Sequence, residues 1–266
     1  MFAYGVGFRR SVVLGNLRIA FPEKSDAERR KIARACYQHF FCVAGELFRF
    51  AKLNRDQLEK QIEAIEREEY FREALNRGDG KGAIIMTGHL GNWEWGSAFL
   101  TLRRMLELIV IKPLHNAGFE AFAREIREAR GIRILPTRGT MLSLVKTLRK
   151  GEPVGLLTDQ DARRHGIFVP FFGRLASTAT GAAELSLSQG VPMVLCFSVR
   201  SRKRSGQFRV IVCPPIFPPE KFEDKDAAIR QLTTAHTTAL ENAIRQYPEQ
   251  YFWFHRRWKT RPPGES

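Results

Sequence analysis

Three histidines of this sequence are each followed, five positions later, by a glutamate, a spacing that can pair an imidazole base with a carboxylate. The pairs are His89 with Glu94, His115 with Glu120 and His236 with Glu241. Because acidic residues make up about one position in ten of an ordinary protein, six histidines produce such spacings by chance. The residues around each pair therefore have to indicate which one does chemistry.

The stretch MTGHLGNWEWG surrounds the first pair with glycines and tryptophans. It follows AIIMT, the most apolar strand candidate, and α/β sheets bind ligands at the C-terminal ends of their strands. Gly88 and Gly91 would allow close approach of a substrate, and the helix dipole would keep Glu94 ionised in the first turn of the next helix. We therefore expect His89 to take a proton from a hydroxyl while Glu94 holds its other ring nitrogen. A purely structural histidine is the alternative.

The other two pairs have a weaker context. His236 and Glu241 fall inside a predicted long helix, where five residues separate two side chains by roughly 140°, so these two cannot cooperate. His115 and Glu120 follow another strand candidate and remain a rival pair. The sequence contains neither GxSxG nor HExxH, patterns that mark a serine nucleophile and a zinc site. The reacting hydroxyl is therefore expected to belong to the substrate.

Short apolar runs and amphipathic stretches alternate along most of the chain. A capping-box pattern at Ser25–Glu28 predicts a helix to about Phe50, and Asn54 begins a second, charged helix that is predicted to end at residues 76–81. The later predicted strands are AIIMT, LELIVI, IRIL, PVGLLT, MVLCFSV and QFRVIV, and the later predicted helices cover residues 92–105, 116–130, 140–150, 180–188 and 224–246. The segment DQDARRHGIFVPFFG is predicted to be a loop.

This alternation predicts a single α/β domain with a mixed, largely parallel central sheet flanked by helices. Residues 1–80 would form a helical N-terminal part, and residues 81–266 an α/β catalytic core with a basic tail. The net charge of +15 predicts an anionic partner, such as nucleic acid, a membrane surface or an acidic protein. Four cysteines without a CxxC spacing indicate reduced, largely buried thiols and no structural metal.

Four stretches together resemble one known family. They are NLRIAFPEKSDAERRKIAR, MTGHLGNWE, TDQDARRHGIFVPFFG and PEQYFWFHRRWKTRPPGE. They are similar to the bacterial late acyltransferases of lipid A biosynthesis, the lauroyl/myristoyl transferases, within the lysophospholipid acyltransferase group that is defined by an H-x4-D/E motif. The similarity extends over roughly residues 8–264, and it implies a glycerolipid-acyltransferase-like fold.

The resemblance implies transfer of a fatty acyl group from acyl carrier protein to a hydroxyl of a lipid acceptor, foremost a lipid A precursor. It implies no metal, no cofactor and no covalent enzyme intermediate. By position it makes His89 the base and Glu94 its partner. Arg127, in AREIREARG, corresponds to an arginine of the family's active site, with Arg124 and Arg130 as alternatives.

Further residues are expected to bind substrate. Asp159 and Asp161 match the family's Asp-x-Asp, and we expect them to orient arginines and the base rather than to bind a divalent metal. Arg164, Arg256 and Arg257 could hold phosphates of a lipid headgroup or of phosphopantetheine, the alternative being a solvated basic face.

Aromatic residues flank both motifs. One of Trp93 and Trp95 is expected in the core and the other along an acyl groove or at the lipid interface. Phe168, Phe171 and Phe172 form either a buried plug or a membrane-docking loop.

Two classes of function stay open, a lipid O-acyltransferase and a non-enzymatic basic protein that binds membrane or nucleic acid. The second predicts a recognisable binding module, and the sequence shows none, so nucleic acid is not an expected partner. The acceptor could also be a phosphoinositide mannoside or an ornithine lipid. The expected location is the cytoplasmic face of the inner membrane, either peripheral or through the apolar N-terminal anchor that family members carry ahead of the region where this sequence starts.

Overall fold

The structure, a computed structural model, describes residues 7–50, 52–111, 116–137, 139–204 and 206–264. Its strands are β1 Ile62–Glu66, β2 Ile84–Thr87, β3 Leu108–Ile111, β4 Arg133–Pro136, β5 Val154–Leu157, β6 Ile167–Phe171, β7 Arg174–Thr178, β8 Met193–Arg200 and β9 Phe208–Val212. Its helices are α1 Arg10–Ala20, α2 Asp26–Phe50, α3 Arg55–Glu59, α4 Glu68–Asn76, α5 Trp93–Leu102, α6 Ala117–Glu128, α7 Met141–Arg149, α8 Gly181–Gln189 and α9 Lys225–Gln246, with 3-10 turns at Arg163–His165 and Pro248–Gln250.

Seven strands form one sheet in the order β1-β9-β8-β2-β5-β3-β4, and β6 and β7 form a separate hairpin. All neighbours in the large sheet are parallel except β8 and β9. The prediction of a mixed, largely parallel sheet is therefore confirmed. Among the described residues, no helix is both long and apolar enough to span a bilayer.

The central strand β2 contributes to a core on each side of the sheet. Ile84 and Met86 pack into one apolar cluster, which also contains residues of α1, α8 and α9. Ile85 points the opposite way, into a second cluster with Trp95 and Phe99 of α5. Because successive side chains of a strand alternate between faces, an apolar run such as AIIMT is what a strand covered on both sides requires.

Two predictions about local structure are wrong. The second charged helix does not run from Asn54 to the 76–81 loop, because β1 interrupts it and pairs with β9 at the sheet edge. The residues of β1, IEAIE, are all half-buried. A stretch whose charges suggested a helix therefore forms an edge strand. The predicted loop after β5 also contains β6, which pairs with β7 in register from Ile167 to Phe171.

Gly91 lies in the turn between β2 and α5, where the backbone comes very close to β8. Its φ is +68°, and a Cβ built on it would lie 1.9 Å from the carbonyl oxygen of Ser198. The neighbouring Asn92 N–H donates to that same oxygen at 2.7 Å, and the Gly91 N–H donates to Gln250 O at 3.0 Å. Only glycine meets both the left-handed backbone conformation and the close contact.

Gly91→Ala should lower the free energy of unfolding by more than about 2 kcal/mol, since a left-handed alanine costs about 1 kcal/mol and the Ser198 contact adds to it. Gly173→Ala is the matched control, because Gly173 has φ +72° but nothing within 4 Å of its added Cβ. Urea unfolding of both variants measures the difference. Equal losses would show that the Ser198 contact imposes no constraint.

Candidate active site

The register of β2 and β5 brings a histidine and an aspartate together. The two strands are parallel neighbours, and Thr87 lies opposite Leu157 at their C-terminal ends. Two residues beyond each of these ends stand His89 and Asp159. Their side chains therefore meet above the carboxyl edge of the sheet, the position at which α/β folds bind ligands.

Asp159 holds His89 at two points. Its Oδ1 lies 2.8 Å from His89 Nδ1, and its Oδ2 accepts the backbone N–H of His89 at 2.8 Å. Since an ionised carboxylate only accepts hydrogen bonds, Nδ1 carries the proton and Nε2 keeps its lone pair. The Asp159 side chain is 3% exposed and that of His89 19%. The pair thus presents an oriented basic nitrogen from an almost closed site.

The expectation that Glu94 holds a ring nitrogen of His89 is corrected by this geometry. Glu94 does lie in the first turn of α5, as predicted, but its carboxylate faces α6. There it makes a bidentate pair with Arg127, at 2.8 Å from Nε and 2.6 Å from Nη2. Its charge still acts on His89, although the hydrogen bond to Nδ1 belongs to Asp159.

Arg127 is the arginine of α6 that reaches the site. Arg124 pairs with Glu128 at the surface, and Arg130 donates to the Phe50 carbonyl. Arg127 is 5% exposed, and its Nη1 has no hydrogen-bond partner among the described residues. One charge-bearing donor is therefore left over for a ligand.

The environment changes the acidity of His89 and Asp159 in opposite directions. Burial opposes protonation of His89, but the charge and hydrogen bond of Asp159, with the charge of Glu94, outweigh it and raise the His89 pKa. Burial would raise the Asp159 pKa, but the charge and hydrogen bonds of His89 and the charge of Arg257 lower it. Each partner therefore stabilises the charged form of the other.

His89, Glu94 and Arg127 line one large cavity of about 800 Å³, a volume typical of small-molecule sites. Most of its wall is apolar, including residues of β2, β3, α2, α5 and α7; examples are Ile85, Ile109, Leu47, Leu100 and Leu144. An apolar cavity with a few convergent polar groups at one place is suited to a long hydrocarbon chain with one reactive end.

One of the two tryptophans lies in the core and the other lines the cavity, as expected. Trp95 packs in the core, 2% exposed, with its ring 4.9 Å from that of Phe208. Trp93 lines the cavity, with its ring 4.9 Å from the imidazole of His89. Phe252, from the C-terminal part, contacts His89 with a tilted ring and Trp93 edge-to-face, and it was not singled out in the sequence.

A second polar cluster holds the turn that carries His89. Arg200, at the end of β8, makes a bidentate pair with Glu46 of α2 at 2.7 and 2.6 Å. Glu46 also accepts from the side chain of Asn92 at 2.8 Å, and Asn92 caps α5 through the Trp95 N–H. His39 lies 3.0 Å from the Gly91 carbonyl. Sequence reasoning missed this cluster, because its members come from three distant segments.

Several predicted substrate-binding residues lie elsewhere. Arg257 is 3% exposed and donates to Ser177 O and Thr178 Oγ1, so the structure gives it a buried role instead of a place for phosphate. Asp161 accepts a hydrogen bond from the Thr260 hydroxyl at 2.9 Å and so contacts the C-terminal segment. Arg164 and Arg256 are exposed and do not line the cavity as the structure describes it.

Phe171 and Phe172 are 0% and 5% exposed, in contact with Trp258 and, for Phe172, Trp253. They are a buried plug, and the alternative of a membrane-docking loop is wrong for these two. 

Among the competing histidines, His236 is buried and its pKa falls to about 4 by burial. Glu241 pairs instead with Arg245. His115 lies outside the described residues.

Polar residues that the sequence did not indicate also line the cavity, among them Thr137, Thr140 and Gln160. Gln160 lies between the two aspartates of the Asp-x-Asp motif, and this position is the one sequence feature that could have indicated a role in the site. Within the described part of the chain, no group of three His, Cys, Asp or Glu side chains could hold a metal ion.

Comparison with known proteins identifies the family of the chain. Residues 2–260 match the family described as "Bacterial lipid A biosynthesis acyltransferase". The chain belongs to this family. Membership confirms the resemblance in the four sequence stretches and makes the chain a lipid acyltransferase.

The relatives that the chain resembles are named as acyltransferases of lipids. The lipid A biosynthesis palmitoleoyltransferase of Escherichia coli (strain K12) is 28% identical over 97% of this chain and 81% of its own length. The lauroyltransferase of the same strain is 28% identical over 96% and 81%. A phosphatidylinositol mannoside acyltransferase of Mycolicibacterium smegmatis is 26% identical, over 56% of this chain and 49% of its own length.

Acyl transfer should increase with pH with a midpoint above 6.5, the ordinary pKa of histidine, because the neutral base forms only as pH passes the raised His89 pKa. Asp159→Asn removes the carboxylate charge, so the midpoint should move to lower pH while the maximal rate falls. The measurement is kcat/KM against pH for both proteins. An unchanged midpoint in the variant would mean that Asp159 does not control the titrating group.

Proposed function

We propose that the protein transfers a fatty acyl group from an acyl carrier protein thioester to a hydroxyl of a lipid, foremost a lipid A precursor. The observation that carries the proposal is the oriented Nε2 of His89 at the polar part of a large apolar cavity. Family membership supports the reaction class, and the names of the E. coli relatives support the acceptor.

In the proposed mechanism His89 acts as general base. Nε2 takes the proton of the acceptor hydroxyl, and the oxygen attacks the thioester carbonyl carbon. The C–S bond of the resulting intermediate breaks, an ester forms, and the imidazolium returns its proton to the leaving thiolate. Asp159 stabilises the imidazolium between these two steps by the hydrogen bond at Nδ1, the arrangement that orients a histidine base in hydrolases.

Arg127 is proposed to stabilise negative charge in the site. Its unpartnered Nη1 can donate to the oxyanion of the intermediate or to a phosphate of the acceptor. Glu94 fixes the guanidinium plane through its bidentate pair. In this account Glu94 acts on the reaction through Arg127 and through its charge near His89, which changes the role assigned to it from the H-x4-E spacing.

The acceptor has a second candidate. The mycobacterial phosphatidylinositol mannoside acyltransferase is similar over about half of this chain, so a glycosylated phosphoinositide is the alternative acceptor, with an ornithine lipid as a further one. Arg164 and Arg256, both exposed, remain candidates for contacts with acceptor phosphates or with the carrier protein. The excess of positive charge suits both an acidic carrier protein and an anionic membrane surface at the cytoplasmic face of the inner membrane.

Incubation with acyl carrier proteins of several acyl lengths and a panel of lipid acceptors should give an acylated lipid, detected by mass spectrometry. Free thiol should appear only when a hydroxylated acceptor is present, because the site holds a base and the mechanism uses no enzyme nucleophile. A stable acyl-enzyme formed with the donor alone would contradict the mechanism, and no product with any acceptor would contradict the function.

His89→Ala should lower the rate by about 10²–10⁴-fold, the usual contribution of a general base. His165→Ala is the control, since His165 is exposed and outside the cavity wall, and it should keep the wild-type rate. Thermal melts check that both variants fold. A His89 variant that turns over as fast as the control would rule out this base.

A further inference from the structure

Bulky apolar side chains are exposed on two helices that border the cavity. Phe41 and Phe48 of α2 are 49% and 55% exposed, and Met141 and Leu142 of α7 are 48% and 75% exposed. They are four of the six large apolar side chains that are exposed in the described part of the chain. Exposed apolar residues that are concentrated on two helices of the same cavity wall mark an interaction site more often than scattered ones do.

The same helices form walls of the cavity. On α2, Phe40, Ala44 and Leu47 line it, next to the exposed Phe41 and Phe48. Phe41 and Phe48 are seven residues apart and so lie on one side of the helix.

On α7, Met141 both lines the cavity and is half exposed, with Leu144 deeper in the wall. On both helices the exposed apolar residues therefore lie next to residues that line the cavity.

Positive charge accompanies these apolar residues. Arg49 and Lys52 are exposed next to Phe48, and Lys146 and Arg149 are exposed one and two turns after Leu142. Helix α7 has no acidic residue. The one acidic residue in the second half of α2, Glu46, is paired with Arg200.

We propose that this docking surface, made of Phe41, Phe48, Met141 and Leu142 with the basic residues beside them, binds an anionic lipid bilayer. The inference rests on the proposed function, in which an acceptor lipid must reach the cavity. With the surface on the bilayer, the apolar side chains enter the acyl region, and the lysine and arginine side chains extend to the headgroups. The cavity then opens into lipid, and the acceptor passes from the bilayer to His89 without crossing water.

The apolar component favours a bilayer over an acidic protein as the occupant. Basic residues alone would suit either partner. Leu142 is three-quarters exposed, and its transfer into hydrocarbon is favourable in proportion to the apolar surface that it removes from water. The surface also replaces the earlier candidate for docking, the loop with Phe171 and Phe172, whose aromatic side chains are buried.

Sedimentation with vesicles of phosphatidylethanolamine and phosphatidylglycerol tests the surface. The variant with Phe41→Ser, Phe48→Ser and Leu142→Ser together should bind at least about tenfold more weakly than wild type. Phe222→Ser is the matched control, since Phe222 is 46% exposed and does not line the cavity, and it should bind like wild type. Equal binding by the triple variant, or an equal loss in the control, would overturn the proposal.

Cys42 gives a second readout in a protein that keeps its native docking surface. It is the exposed cysteine next to Phe41, so a polarity-sensitive fluorophore on its thiol, in a Cys213→Ser background, should shift its emission to the blue with these vesicles. No shift with vesicles that sediment the protein would overturn the assignment to α2, even where the triple variant fails to fold.

Acylation assays separate this proposal from the proposed function. The triple variant should keep its rate on detergent-dispersed acceptor and lose at least about tenfold on vesicle-embedded acceptor. If instead vesicle binding is unchanged and only the KM for acyl carrier protein rises, the surface belongs to the donor and the proposal fails. Vesicle binding that depends on the surface supports the proposal even when no ester forms, a result that would count against the proposed function alone.

Discussion

The contact between Asp159 and His89 is the constraint around which the site is built. A carboxylate that is 3% exposed loses its hydration, which costs several kcal/mol unless charge and hydrogen bonds replace it. The backbone N–H and Nδ1 of His89 supply the hydrogen bonds, and Arg257 supplies positive charge, joined by His89 when its ring is protonated. One interaction thus fixes the backbone of the turn, the tautomer of the ring and the direction of the remaining lone pair.

Helix α2 connects this turn to the substrate cavity. Its His39 and Glu46 hold the turn through Gly91, Asn92 and the Arg200 pair. The adjacent face of the same helix, with Phe40, Ala44 and Leu47, lines the cavity. A ligand in the cavity would therefore contact the same helix that positions the turn with His89. The ion pair between Glu46 and Arg200 is only about one-fifth exposed, so removing one partner leaves a charge without compensation, and that is costlier than loss of a surface pair.

Local sequence patterns predicted most of the elements, because the apolar period of a buried strand or an amphipathic helix is a property of a short segment. Strand β1 was not predicted, because its half-buried residues at the sheet edge include charged residues at a helix-like spacing. The turn with His89 and the helix position of Glu94 were predicted correctly. The family resemblance had already placed Asp159 and Arg127 in the site and expected Asp159 to orient the base. The sequence did not indicate that Asp159, and not Glu94, holds Nδ1, or that Glu94 pairs with Arg127, because these contacts join residues 70 and 33 positions apart. Which strands are neighbours decides those contacts, and no short pattern records it.

The tautomer of His89 tests the account most directly. Nitrogen NMR of protein labelled at histidine, with the His89 signals assigned by their loss in His89→Ala, reports which ring nitrogen carries the proton above the pKa. The account predicts protonated Nδ1 and unprotonated Nε2 in the wild type and in Glu94→Gln, and loss of this preference in Asp159→Asn. A proton on Nε2 in the wild type, or a preference that depends on Glu94 and not on Asp159, would contradict it.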